Sequence, residues 1–188
     1  MTALPDWMLS EITAEEYANL PEEVCRRIEI VDGRVLVSPS PTPLHNDVTS
    51  ELRRAIKSQC PAEWQVTTET DVRMHEVPLH DRKPDVIVYS ASVPRTRVPI
   101  PVTEVLLAIE VMSPGSIITD RIDKPAQYAH AGIPHFWRVE MDENGELVIL
   151  THQITPSSRR YEQTGEYRTL LKTETPFPLE IDVQSLLD

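Results

Sequence analysis

An α/β (α+β) fold with a mixed central β-sheet flanked by helices is what three features of the 188-residue sequence predict. Five successive apolar residues within Glu104–Met112 fit a strand buried on both faces. A helical segment and a second strand follow at the spacing of a parallel crossover, which is almost always right-handed. Strand-like segments before and after that unit give the order αββα…ββαβ.

The elements follow in order. Thr13-Ala-Glu-Glu-Tyr carries a capping box, with Thr13 capping and Glu16 reaching back, and opens a helix to about Leu20, near Pro21. Strands are expected over Val24–Val31 and Arg34–Ser38, joined at Asp32-Gly33, a dipeptide that closes two-residue hairpins. Three prolines between Ser38 and Pro43 make a rigid loop. From Leu44, the positions Leu44, Val48, Leu52, Ala55 and Ile56 recur at helical spacing as far as about Gln59.

Trp64–Met74 reads as one or two strands and Asp85–Tyr89 as another, announced by Pro84. Pro94, Pro99 and Pro101 make Ser90–Thr103 a surface loop. Glu104–Met112 is stopped by Pro114-Gly115. A helix from near Asp120 to Ala131 is closed by Gly132, with Pro134 just beyond. Phe136–Glu140, Leu147–His152, Tyr161 and Tyr167–Leu171 are strand segments, and Val183–Leu187 is a closing helical turn.

At 40% hydrophobic content, residues 1–188 are expected to form a single domain with a sizeable core. The apolar runs are too short to cross a bilayer, and the N-terminus shows no basic-then-apolar leader. Cys25 and Cys60 make no disulfide framework, so a cytoplasmic location with reduced thiols is expected. The formal charge of −12 argues against tight, non-specific nucleic-acid binding. It leaves room for a nuclease, because metal-holding carboxylates count as negative in a sum that omits the metal. Arg53, Arg54 and Lys57, Arg95 and Arg97, and Arg159 and Arg160 are either local contacts for a strand or ordinary solvated groups.

The chemistry concentrates in Lys83-Pro-Asp-Val-Ile-Val-Tyr, Ala108-Ile-Glu-Val-Met-Ser-Pro-Gly and Asp120-Arg-Ile-Asp-Lys-Pro-Ala-Gln-Tyr-Ala. Asp85 begins one strand and Glu110 lies near the end of another, so adjacent strands can bring them together. Two anions in a low-dielectric cleft repel unless a cation intervenes. Oxygen ligands suit Mg²⁺, which takes one or two carboxylates and polarises a phosphodiester. Alone, Asp85 reads equally as a strand cap. Glu110 needs a partner, since a buried unpaired carboxylate costs several kcal/mol; an ion pair without a ligand role is the alternative. Lys124, four residues after Asp120 on one helix face, either makes a solvated salt bridge or points at the phosphate. Pro125 is tolerated in a first helical turn. His75, His80, His130, His135 and His152 show no ligand spacing, and Trp137 reads as core.

The run from Ile109-Glu-Val-Met-Ser-Pro-Gly-Ser through Asp120-Arg-Ile-Asp-Lys-Pro-Ala-Gln-Tyr to His135-Phe-Trp-Arg-Val-Glu resembles the Uma-two family of restriction-endonuclease-like proteins. Pro84-Asp85, Ile28-Glu-Ile-Val-Asp-Gly and Ser38-Pro-Ser-Pro-Thr-Pro-Leu-His match the same pattern, and the likeness spans most of the chain from Thr13. Each motif is weak; their joint order is specific. The resemblance implies a restriction-endonuclease-like PD-(D/E)XK core, with Asp85 as the motif aspartate and Glu110 as the third-motif glutamate. Met112 stands where the usual lysine would, on the same strand face as Glu110; Lys124 looks like its migrated replacement. Glu29 matches a further acidic metal ligand, with an outward-facing strand residue as the alternative. His45 resembles the family's histidine before its helix, placed to touch a phosphate or orient a water, or simply to neighbour a cap.

The expected function is a Mg²⁺-dependent (or Mn²⁺-dependent) endonuclease acting on DNA. Asp85, Glu110 and Glu29 hold the metal, and Lys124 stabilises the charge that develops on the phosphate. The alternative is a catalytically silent interaction or regulatory module, favoured by Met112 and the acidic total. A metal-dependent hydrolase of small phosphate esters is a third class. A homodimer suits cutting of both strands, though no residue demands one. The fold alone does not choose among these.

Overall fold

The computed structural model describes residues 10–38, 40–113, 119–142, 144–155 and 157–187; the expected Pro114-Gly115 stop and the N-terminal residues read for a leader lie outside them. Helix α1 (Ala14–Ala18) starts on the capping box: Thr13 N–H donates to Glu16 Oε2 at 2.8 Å, and Glu16 N–H donates to Thr13 Oγ1 at 3.3 Å. The expected strand from Val24 begins later. A short helix, α2 (Glu22–Cys25), takes its place, with Glu22 and Glu23 favouring the N-terminal dipole. The hairpin β1 (Ile28–Val31) and β2 (Arg34–Val37) turns at Asp32 and Gly33, whose φ values of 50° and 78° are those of a type I′ turn.

Helix α3 (Pro43–Gln59) is capped by Thr42, which accepts the His45 N–H, and carries Pro43 in its first turn. Then come β3 (Trp64–Thr68), β4 (Val72–His75), β5 (His80–Arg82), β6 (Val86–Ser90), β7 (Ile100–Pro101) and β8 (Val105–Val111). A wide π-type turn over Thr119–Asp123 leads into α4 (Lys124–Ala131). Pro125 has no N–H to give the preceding turn, which accounts for the irregular start. Gly132 closes α4 at φ 92°, where a side chain would be strained. Strands β9 (His135–Met141), β10 (Leu147–Thr155), β11 (Arg160–Tyr167), β12 (Leu170–Thr173) and β13 (Leu179–Asp182) follow, and a 3₁₀ turn over Gln184–Leu187 ends the described chain.

The central sheet is mixed, in the order β11-β10-β9-β8-β6-β3, with β8 and β9 parallel across α4 as the crossover predicts. Two further sheets, β2-β1-β5-β4-β7 and β12-β13, accompany it. Alternation along the strands assigns the faces. Val86, Val88, Leu107, Ile109 and Val111 meet Val48, Leu52 and Ile56 of α3, whereas Ile87 and Ala108 meet Tyr128 of α4 and Phe136. Residues 85 and 110 therefore share the face covered by α4. Trp137 is buried among the α3-side residues, as expected. None of the described helices is long and apolar enough to cross a membrane.

Candidate active site

The register Val86↔Ile109 sets Asp85 and Glu110 opposite each other one step further on, where β6 and β8 leave their shared ladder. Asp85 Oδ2 accepts the Val111 N–H at 2.6 Å and lies 3.2 Å from His45 Nε2 at the start of α3. Glu110, 1% exposed, accepts from Lys124 Nζ at 2.7 Å on Oε2 and from Tyr128 Oη at 2.5 Å on Oε1. Both donors come from α4, one helical turn apart, so one carboxylate is clamped from one helix face. Lys124 Nζ also lies 3.1 Å from Asp120 Oδ1. The solvated salt bridge considered for this lysine is instead a nearly buried, three-membered cluster.

Glu29 reaches the same cleft from β1. Its Oε2 is 3.1 Å from an Arg82 guanidinium nitrogen, and its Oε1 accepts the Lys83 N–H at 2.7 Å. Arg82 in turn donates to Gln127 of α4 at 2.7 Å. Glu29 is thus neither outward-facing nor loose. Glu29, Asp85, Glu110, Asp120, His45 and Lys124 all border one cleft of about 740 Å³, with Arg26 and Arg27 also in its wall. Arg53, Arg54, Lys57, Arg95, Arg97, Arg159 and Arg160 do not border it.

The electrostatics follow from crowding. Burial raises Glu110 well above the usual carboxylate range; Lys124 opposes this, and the charges of Asp85, Asp120 and Glu29 add to it. Burial alone would depress Lys124, but Glu110, Glu29, Asp120 and Asp85 outweigh it and keep the ammonium protonated. Tyr128 is pushed up by burial and by Glu110, so its hydroxyl stays a donor. Burial lowers His45, yet the hydrogen bond and charge of Asp85 leave it raised overall.

Glu29, Asp85, Glu110 and Asp120 thus crowd around Arg82 and Lys124, and Glu69, Lys83, Arg26 and Arg27 also border the cleft. The all-oxygen donor set is of the kind Mg²⁺ takes, and Mg²⁺ needs only one or two carboxylates because it keeps waters. Glu29, Asp85 and Glu110 do not form a mutual cluster of ligand atoms; each is partly turned onto protein donors.

Arg82, Tyr128 and Gln127 escaped the sequence reading. Arg82 sits in a three-residue strand with no periodicity, and Tyr128 reads as an amphipathic-helix core residue. The sequence shows no ligand spacing among the histidines, but the fold brings two of them beside an aspartate. Ligand atoms of Asp32, His75 and His80 lie within 4.8 Å of one another, the one such group among the described residues. Two hairpin tips meet there, a proximity that spacing along the chain cannot reveal.

A family model named Uma2, described as "Putative restriction endonuclease", matches residues 14–183. No curated protein matches the sequence. A crystal structure described as a putative nuclease belonging to DUF820, from Anabaena variabilis ATCC 29413, superposes with a TM-score of 0.69. The two chains are 20% identical, and the match covers 94% of this chain and 97% of that one, a likeness of fold.

Proposed function

Because the chain belongs to the Uma2 family of putative restriction endonucleases, we propose that it is a divalent-metal-dependent endonuclease hydrolysing phosphodiester bonds in DNA. The observation that carries this reading is the convergence of Asp85, Glu110 and Lys124, from three separate elements, on one cleft. In this reading Asp85 and Glu110 hold Mg²⁺ or Mn²⁺, with Glu29 as a further candidate. Such an ion supplies charge neutralisation at a phosphate and a lowered pKa for bound water. Lys124 presents a protonated ammonium where negative charge builds on the phosphate oxygens. His45 Nε2, beside Asp85, orients a water or holds a proton at that atom. Arg26 and Arg27 offer positive charge to the strand backbone.

A silent nuclease-fold module is the second reading. It is favoured by the engagement of both Glu110 oxygens and both Glu29 oxygens by protein donors. Nicking of supercoiled plasmid with Mg²⁺ or Mn²⁺, by wild type and by Asp85→Asn, separates the two. Metal-dependent nicking lost in the variant is expected. Equal nicking by both proteins, or none by wild type with either metal, removes the endonuclease reading.

A further inference from the structure

Away from the cleft, we infer that Asp32, His75 and His80 form a second metal site, selective for a borderline ion of the Zn²⁺, Co²⁺ or Ni²⁺ kind. It does not rest on the nuclease reading.

The geometry is built by two hairpins. Asp32 occupies the β1–β2 turn, and His75 and His80 are directly paired across the β4–β5 turn. The two tips are tied by the Gly33 N–H donating to the Leu79 carbonyl at 2.7 Å. Leu79 itself is buried with Ile30. The imidazoles therefore meet the carboxylate on a scaffold fixed by backbone and core.

The distances, and the tautomer of His75, agree with coordination. His80 Nδ1 lies 3.1 Å and His75 Nε2 3.8 Å from Asp32 Oδ1. Tetrahedral Zn²⁺ with bonds of about 2.0–2.1 Å separates its ligand atoms by roughly 3.4 Å, so the observed pairs bracket the required span. His75 Nδ1 is 2.5 Å from the Pro78 carbonyl, which can only accept. Nδ1 must then carry the proton, leaving the Nε2 lone pair facing Asp32, the arrangement that outer-shell hydrogen bonds impose on metal-binding histidines. His80 is 4% exposed, and its Nε2 is buried without a partner among the described residues. His80 Nδ1 is hydrogen-bonded to Asp32 in the ion-free protein and would ligate a metal only with the ring proton moved to Nε2.

The donor chemistry sets the class of ion. Two imidazole nitrogens and one carboxylate suit Zn²⁺, Co²⁺ or Ni²⁺, whereas Mg²⁺ prefers oxygen alone. Asp32 and His75 are exposed, which leaves room for water in the remaining position. A bound ion would pin the β1–β2 turn to the β4–β5 turn. His80 is two residues from Arg82, and Asp32 three from Glu29, the pair that reaches the cleft.

The test is calorimetric titration of the full chain with Zn²⁺, and with Co²⁺ followed by visible absorption. One saturable Zn²⁺ site is expected, unaffected by excess Mg²⁺, by Asp85→Asn or by Cys25→Ser with Cys60→Ser. His75→Ala and Asp32→Asn should each weaken it at least about tenfold. Both positions are exposed, and Asn tolerates the left-handed backbone at 32, so these variants should fold. Absence of saturable binding, binding unchanged in both variants, a thiolate charge-transfer band with Co²⁺, or displacement by Mg²⁺ would each overturn the assignment.

Discussion

Lys124 Nζ lies 2.7 Å from Glu110 Oε2, although the lysine belongs to α4 and the glutamate to β8. The strand position that would face the same way as Glu110 two residues on is Met112, just past the end of β8. The ammonium therefore reaches the cleft from the helix rather than from the strand. If it serves the reaction, Lys124→Ala should lower plasmid nicking at least about a hundredfold, the loss associated with one charge-stabilising donor. Adding Met112→Lys to that variant should restore part of the rate, because the strand alternation aims residue 112 at Glu110. Unaltered nicking by Lys124→Ala would remove the lysine from the chemistry.

Tyr128 donates to the other oxygen of Glu110 and packs against Ile87, Ala108 and Phe136. Tyr128→Phe keeps the packing and strips Glu110 Oε1 of its donor. An unsatisfied buried acceptor costs about 1–3 kcal/mol, more when charged. Chemical denaturation should show a loss of at least that size at neutral pH. A smaller loss at acid pH is expected, since a protonated Glu110 has less charge to satisfy. Stability unchanged at neutral pH would mean that this hydrogen bond contributes nothing.

Much of this arrangement was legible in the sequence. The apolar run of β8, the Asp32-Gly33 turn and the Thr13 capping box are local signals, and each is formed where its residues predict. The residues alone leave Lys124 either in a solvated salt bridge or pointing into the site, and it is the family resemblance that implies its place beside Glu110. The five-stranded sheet was not legible. Its strand β5 is His80-Asp81-Arg82, all buried and all polar, and is stabilised by partners distant in sequence rather than by a periodic pattern. Asp81 is satisfied by two guanidinium contacts from Arg73, and Arg82 by Glu29 and Gln127. No rule of periodicity marks such a strand; only the completed ion pairs explain it.

His152 gives a pH signature outside the cleft. Burial, then the charge of Arg138, lowers its pKa, and its ring packs 5.6 Å from that of Phe136. The unfolded chain takes up this proton at about pH 6.5, while the folded protein resists it. Between those two values the unfolded state binds more protons, so this residue's contribution to stability falls as pH drops below about 6.5 and levels off under the folded value. Buried acids such as Asp71, with raised pKa values, act in the opposite sense, so the comparison must be differential. His152→Phe keeps a ring against Phe136 and removes the titration. Melting temperatures of variant and wild type should diverge on acidification, the variant losing less. Parallel curves through that range would refute the assignment.

Glu29 can be a metal ligand or half of an architectural ion pair, and its partner Arg82 distinguishes the two. Both side chains are nearly buried, at 8% and 2% exposure. Arg82→Met leaves Glu29 with the Lys83 N–H alone, and stranding one charge of a buried pair costs about 3–5 kcal/mol. Arg82→Met with Glu29→Met removes both charges and should recover part of that loss, measurable as a positive coupling in a double-mutant cycle. If Glu29 only anchors Arg82, then Glu29→Gln should leave the Mg²⁺ or Mn²⁺ affinity within about twofold of wild type. The single Gln oxygen keeps one of the two acceptor positions and its NH2 faces the other donor, a cost read in stability rather than in metal affinity. A direct ligand should instead lose at least about tenfold on the same substitution, comparable with losses seen when even the outer shell of a metal site is altered. Calorimetric titration of this variant beside Asp85→Asn therefore tells whether the β1 carboxylate belongs to the metal or to the sheet.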